Sequence, residues 1–133
     1  MTWTPPNDLD PEVLDLSVAL NALPGIETYE SCCGHGQLPY RIWFVVTDYS
    51  NRGLLTLSRL LCRNYYRHRL SFRVELDHKD TAPQLCFCLE GIRVEGARIA
   101  QMQSERLAKD ITTHVEGRTG RYNILLDRVD EEN

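Results

Sequence analysis

The sequence has no long hydrophobic run, no basic start and no surplus of positive charge. Its longest apolar stretch, Ile42–Val46, is far too short to cross a bilayer. The opening Met-Thr-Trp-Thr-Pro-Pro-Asn-Asp-Leu-Asp lacks the basic and apolar regions of a signal peptide, so the expected location is the cytoplasm. Fifteen Lys and Arg stand against 19 Asp and Glu, a formal net charge of −4. Proteins that grip nucleic acid nonspecifically displace counterions with uncompensated cations, so this balance argues against nucleic acid as a partner. Even, loop-borne cysteine pairs are also missing. The count is five, two are adjacent, and the others fall on a predicted helix and strand. Free thiols in a reducing compartment follow, not a disulfide-stapled secreted domain.

The remainder is an ordinary globular composition, 42% hydrophobic and 26% charged, in a chain of 133 residues. That length holds one core, and no repeat, linker or low-complexity tract divides it. Residues 1–126 are expected to form a single α+β domain and 127–133 a frayed acidic tail.

Asp10-Pro11-Glu12 reads as a helix start, with Asp10 capping and Pro11 at the first helical position. Leu9 and Leu14 occupy the positions of a hydrophobic staple, and Val13, Leu16, Leu20 and Leu23 recur at helical spacing until Pro24-Gly25 stops the helix. Ile26 to Cys32 is a strand, on which Glu27 and Glu30 fall on opposite faces. Tyr40 to Thr47 is a second, with Tyr40, Ile42, Phe44 and Val46 on one face and Trp43 and Val45 on the other. Apolar groups on both sides predict a central strand covered on both.

Ser50 can cap a second helix carrying Leu54, Leu57, Leu61 and Tyr65 on one face. Strand three turns Leu70, Phe72, Val74 and Leu76 inward, and strand four sets Leu85, Phe87 and Leu89 against Cys86, Cys88 and Glu90. A long helix from Gly96 to Glu116 presents Ala100, Leu107, Ile111 and Val115, and Tyr122 to Leu126 reads as a short edge strand. The order is α-β-β-α-β-β-α, which predicts a mostly antiparallel sheet with helices packed on one face.

Reactive and flexible residues concentrate in Ser31-Cys32-Cys33-Gly34-His35-Gly36, between the first two strands. Gly34 and Gly36 permit positive φ, successive N–H groups can form an anion-binding nest, and His35 adds a donor or a charge. Arg41, at the start of the next strand, is placed to face the same region. Three chemistries fit this segment. Cys33 and His35 with Cys86 and Cys88 can be combined into a tetrahedral zinc set, although their spacing is not that of the common zinc motifs. Cys33 before Gly34 can act as a nucleophile, although Pro39 stands where a phosphatase-type loop has its Arg. Glu30 can orient His35 or hold a ligand hydroxyl. Arg59, Arg63 and Arg67 repeat every fourth residue beside Tyr65 and Tyr66, a cation–aromatic combination that a solvated helix face also explains.

The stretch from Leu20-Asn21-Ala22-Leu23-Pro24-Gly25 through Ser31-Cys32-Cys33-Gly34-His35-Gly36 to Arg41-Ile42-Trp43-Phe44 resembles a family of small uncharacterised phage and bacterial proteins. The resemblance covers the first half of the chain. It implies a phage-type role, such as sequestering a host signalling nucleotide, and a symmetric oligomer. More distantly, Ser31, Cys32 and Gly34 are similar to the loop of the wybutosine-synthesis tRNA methyltransferase family, where His35 stands in place of an Arg. That likeness implies the fold alone.

The leading expectation is a small-ligand binding protein that holds an anionic, nucleotide-like molecule with Ser31, Cys32, Cys33, Gly34, His35, Gly36 and Arg41, without a cofactor. A nucleotide- or RNA-modifying enzyme using the same loop and a zinc-stabilised interaction module are the alternatives.

Overall fold

The alternating segments and the helical stripes resolve, in a computed structural model, into four strands and three α-helices among the described residues. The structure describes residues 3–47, 50–63, 67–76, 83–92 and 96–117. A 3-10 turn, Pro11–Val13, leads into α1 (Leu14–Asn21). Then come β1 (Ile26–Cys32), β2 (Arg41–Val46), α2 (Arg52–Arg63), β3 (Arg69–Leu76), β4 (Pro83–Glu90) and α3 (Ala97–Gly117). The expected strand at Tyr122 to Leu126, the acidic tail, and Tyr65 and Tyr66 lie outside the described residues.

The sheet runs β1-β2-β4-β3 and every neighbouring pair is antiparallel. After β2 the chain crosses through α2 and returns as β3 on the far side of β4, so β2 and β3 run parallel with β4 between them. The helices pack on one face. Val13, Leu16, Leu20 and Leu23 meet Ile26, Ile42, Phe44, Phe87 and Leu89 there, with Leu57, Leu60 and Leu61 of α2 and Leu107, Ala108 and Ile111 of α3 completing the core. Burying each large side chain contributes about 1.5–3 kcal/mol, which is what holds the helical stripes on the sheet. Phe44 and Phe87, opposite each other in the β2–β4 register, stack with centroids 5.4 Å apart. At the end of α1, Asn21 donates from Nδ2 to the Ser17 carbonyl and Thr28 Oγ1 and accepts the Thr28 N–H, fastening the helix to β1.

Five expectations are corrected. Asp10 stands at the helix start but caps nothing with its side chain. The register of β1 slips between Thr28 and Glu30, leaving Tyr29 as the extra residue of a bulge. Glu27 therefore sits opposite Val45 and Glu30 opposite Trp43, both on the face away from the helices. Among the described residues that face is open, so β2 is central but carries helices on one side only, with Trp43 and Val45 half-buried. At the β3 edge the helices stop short, and Phe72 and Val74, which share a side with Phe87 and Leu85, are 70% and 60% exposed. Finally, α2 is described over Arg52–Arg63 and Arg67 is not helical, so it does not continue a helical stripe from Arg59. Among the described residues, no helix is long and apolar enough to cross a membrane.

Candidate functional site

The Cys-Cys-Gly-His-Gly loop lies at one end of the sheet, joining the adjacent antiparallel strands β1 and β2. It is tight. Gly34, His35 and Gly36 are consecutive left-handed residues, with φ of 82°, 53° and 78°. A Cβ on Gly34 would come within 3.1 Å of the Pro39 backbone, so only glycine fits there. His35 has no such freedom, and a left-handed residue with a Cβ carries a conformational cost of about 1–2 kcal/mol. A simple turn avoids that cost with a third glycine. Instead the imidazole is held at the exposed tip of the loop.

Three backbone N–H groups point into the loop, and all three have acceptors within the chain. Cys33 N–H donates to Asp10 Oδ2 at 2.9 Å, Gly34 N–H to Cys32 Sγ at 3.4 Å, and His35 N–H to Cys33 Sγ at 3.4 Å. The expected anion nest is thus filled by a carboxylate and two sulfurs. Asp10 was missed as a site residue because its position before Pro11 reads as an ordinary cap. Its failure to cap is what frees the carboxylate for the loop.

The strand pleat separates the sequence-predicted residues into two groups. Ser31 is paired with Ile42 and lies on the helix side, where its hydroxyl is buried. Cys33 also packs into the core, its Sγ 3.6 Å from His35 Nδ1. Burial pushes the Cys33 thiol above its ordinary value; the His35 N–H offsets this in part, and the negative Asp10 and Glu12 add to it. Both burial and the nearby carboxylates disfavour the thiolate that nucleophilic catalysis at Cys33 would need.

Cys32 is directly opposite Arg41 and faces the open side. Its Sγ, a ring nitrogen of His35 and a carboxylate oxygen of Asp10 lie within 4.8 Å of one another. Cys86 and Cys88 do not join this cluster. They sit on β4 opposite Val45 and Trp43, with β2 between them and Cys32. The zinc quartet drawn from the sequence is therefore not assembled.

Arg41 links the loop to the rest of the open face. Its Nε donates to Glu90 Oε2 at 2.9 Å, a pair with 42% and 23% of its side chains exposed. Such a surface pair contributes about 0–1 kcal/mol and leaves the other guanidinium nitrogens to serve elsewhere. Beyond it lies a groove of about 230 Å³ lined by Arg41, Trp43, Ser71, Arg73, Cys88 and Glu90. Trp43 was legible as lying on the face opposite Ile42 and Phe44, and alternation places Arg41 on that same face; that this face lines a groove with β4 and β3 residues depends on the sheet. On the other flank of the loop, a Cβ on Gly36 would lie 3.4 Å from the Ala97 nitrogen, so the positive end of the α3 dipole abuts it. No family model, curated protein or solved structure matches the chain.

Proposed function

We propose that this protein binds a small anionic, nucleotide-like molecule at the loop end of the open sheet face. The observation that carries the reading is the groove that sets Trp43 next to Arg41. A tryptophan offers a stacking surface to any base, and an arginine offers a planar donor to a phosphate. At about 230 Å³ the groove is smaller than the roughly 300–1,000 Å³ typical of whole-ligand pockets, so it accepts one ring system and leaves the charged part on the rim. That rim carries Arg41, and through Cys32 it reaches His35. The N-terminus of α3 adds positive potential beside Gly36. With the loop N–H groups already engaged, side chains rather than backbone supply the contacts. A binder that leaves its ligand unchanged serves to sequester it.

Equilibrium dialysis against mono-, di-, tri- and cyclic nucleotides at low salt tests this. Arg41→Ala and His35→Ala should each weaken binding by roughly 1–3 kcal/mol, and affinity should fall as salt rises. Trp43→Leu should weaken binding by about 1–3 kcal/mol and be insensitive to salt. Failure of every nucleotide to bind at millimolar concentration would end the proposal. Recovery of a cleaved or methylated product, abolished by Cys33→Ser, would make the protein an enzyme instead.

A further inference from the structure

Asp10, Cys32 and His35 come from three different places: the residue before the first turn, the last position of β1 and the tip of the loop. They bring an oxygen, a sulfur and a nitrogen donor to within 4.8 Å of one another. Nothing in the hydrophobic packing requires this meeting, since Asp10 and Cys32 are only half-buried and His35 is exposed.

We propose that Asp10, Cys32 and His35 bind a divalent cation of the zinc class. The donor set is the first reason. Calcium and magnesium favour oxygen ligands, whereas a mixed thiolate, imidazole and carboxylate set suits zinc and its near neighbours. The second reason is that each donor is held by a group outside the trio. Asp10 is held by the Cys33 N–H, Cys32 Sγ by the Gly34 N–H, and the His35 ring stands 3.6 Å from Cys33 Sγ. Metal sites orient their ligands through such outer partners. Bonds of about 2.0–2.3 Å to a tetrahedral ion place donors about 3.3–3.8 Å apart, so side-chain rotation of about 1 Å closes the site.

The third reason is charge. A divalent ion balances the Asp10 carboxylate and the thiolate that forms at Cys32 when the ion binds. On binding, the Cys32 thiol gives up its proton to solvent and the sulfur forms the metal bond. Three protein ligands leave a fourth position for water or for an oxygen of an anionic molecule. The ion would thus remove the negative charge of Asp10 from the site assigned above to an anion, but its own binding does not rest on that assignment.

The test uses cobalt as a spectroscopic stand-in for zinc. Titration of the full chain should saturate at one Co²⁺ per chain with a thiolate-to-cobalt charge-transfer band. That band should vanish in Cys32→Ser and persist in Cys33→Ser. His35→Ala and Asp10→Asn should weaken binding at least as much as losing an outer partner does, about 10–100-fold. A second readout needs no variant. Zinc should protect Cys32 of the wild-type protein from alkylation, with exposed Cys62 as the internal control read by mass spectrometry. Absence of the band, or a band lost in Cys33→Ser and kept in Cys32→Ser, would overturn the assignment, as would equal alkylation of Cys32 with and without zinc. Metal bound without any nucleotide would leave this site standing and remove only the anion reading.

Discussion

The carboxylate of Asp10 accepts the backbone N–H of Cys33 at 2.9 Å across 23 positions of sequence. This bond fixes the loop to the segment that starts the first helix, at the cost of leaving the helix start without a side-chain cap. Its removal tests how much of the loop's shape depends on one contact. Asp10→Ala leaves a partly buried N–H without its acceptor and should lower unfolding free energy by about 1–3 kcal/mol. Asp10→Asn keeps an acceptor and should cost less than half as much. Chemical denaturation of the three proteins reads the difference, and equal losses would show that the bond is not what holds the loop.

His35 sits at φ 53°, ψ 33° with a Cβ that the left-handed region disfavours. His35→Gly should therefore raise stability, by roughly 0.5–1 kcal/mol, while weakening ligand or metal binding. A thermal melt and a binding titration on the same sample separate the two effects. A destabilised His35→Gly would mean that the imidazole's contact with Cys33 outweighs the backbone strain.

Gly91 lies against the Tyr40 ring, and a Cβ there would meet it at 2.5 Å. Tyr40 is almost wholly buried, its carbonyl accepts the Gly91 N–H at 2.8 Å, and its hydroxyl is hydrogen-bonded to the His68 ring. With no room to retreat, the ring makes Gly91→Ala an overpacking change of about 1–3 kcal/mol. Urea unfolding measures it. A neutral result would show that the ring can swing aside.

His68 is pushed down to about 4, and the cause is burial. The unfolded chain then binds this proton more readily than the folded one between about pH 6.5 and 4. The contribution is fully present above pH 6.5 and is lost as pH falls toward 4. Allowing for the ring's partial contact with solvent, its size is on the order of 2 kcal/mol. Denaturation midpoints at pH 7 and pH 5 should fall farther in the wild type than in His68→Gln, which cannot titrate. Equal slopes would assign the acid sensitivity to other groups.

Most of the framework followed from local pattern. The seven residues of β1, the stripe of Val13, Leu16, Leu20 and Leu23, and the 21-residue α3 are written in apolar periodicity and in Gly and Pro punctuation, which act over a few residues. The position of the Cys32 to Gly36 loop at one sheet end followed in the same way. Three things depended on the tertiary structure. The bulge at Tyr29, which turns Glu27 and Glu30 to the same face, is set by pairing with β2 and leaves no mark in alternation. The exposure of Phe72 and Val74 reflects how far the helices reach across the sheet, which no strand encodes in itself. The site is the clearest case. Cys32 and Cys33 are adjacent, yet the pleat and the turn send one sulfur to the open face and the other to the core. Asp10 is brought to both of them by its hydrogen bond to the Cys33 N–H, between residues far apart in sequence. Local propensity is silent about such contacts, because their energy exists only once the chain has folded back on itself.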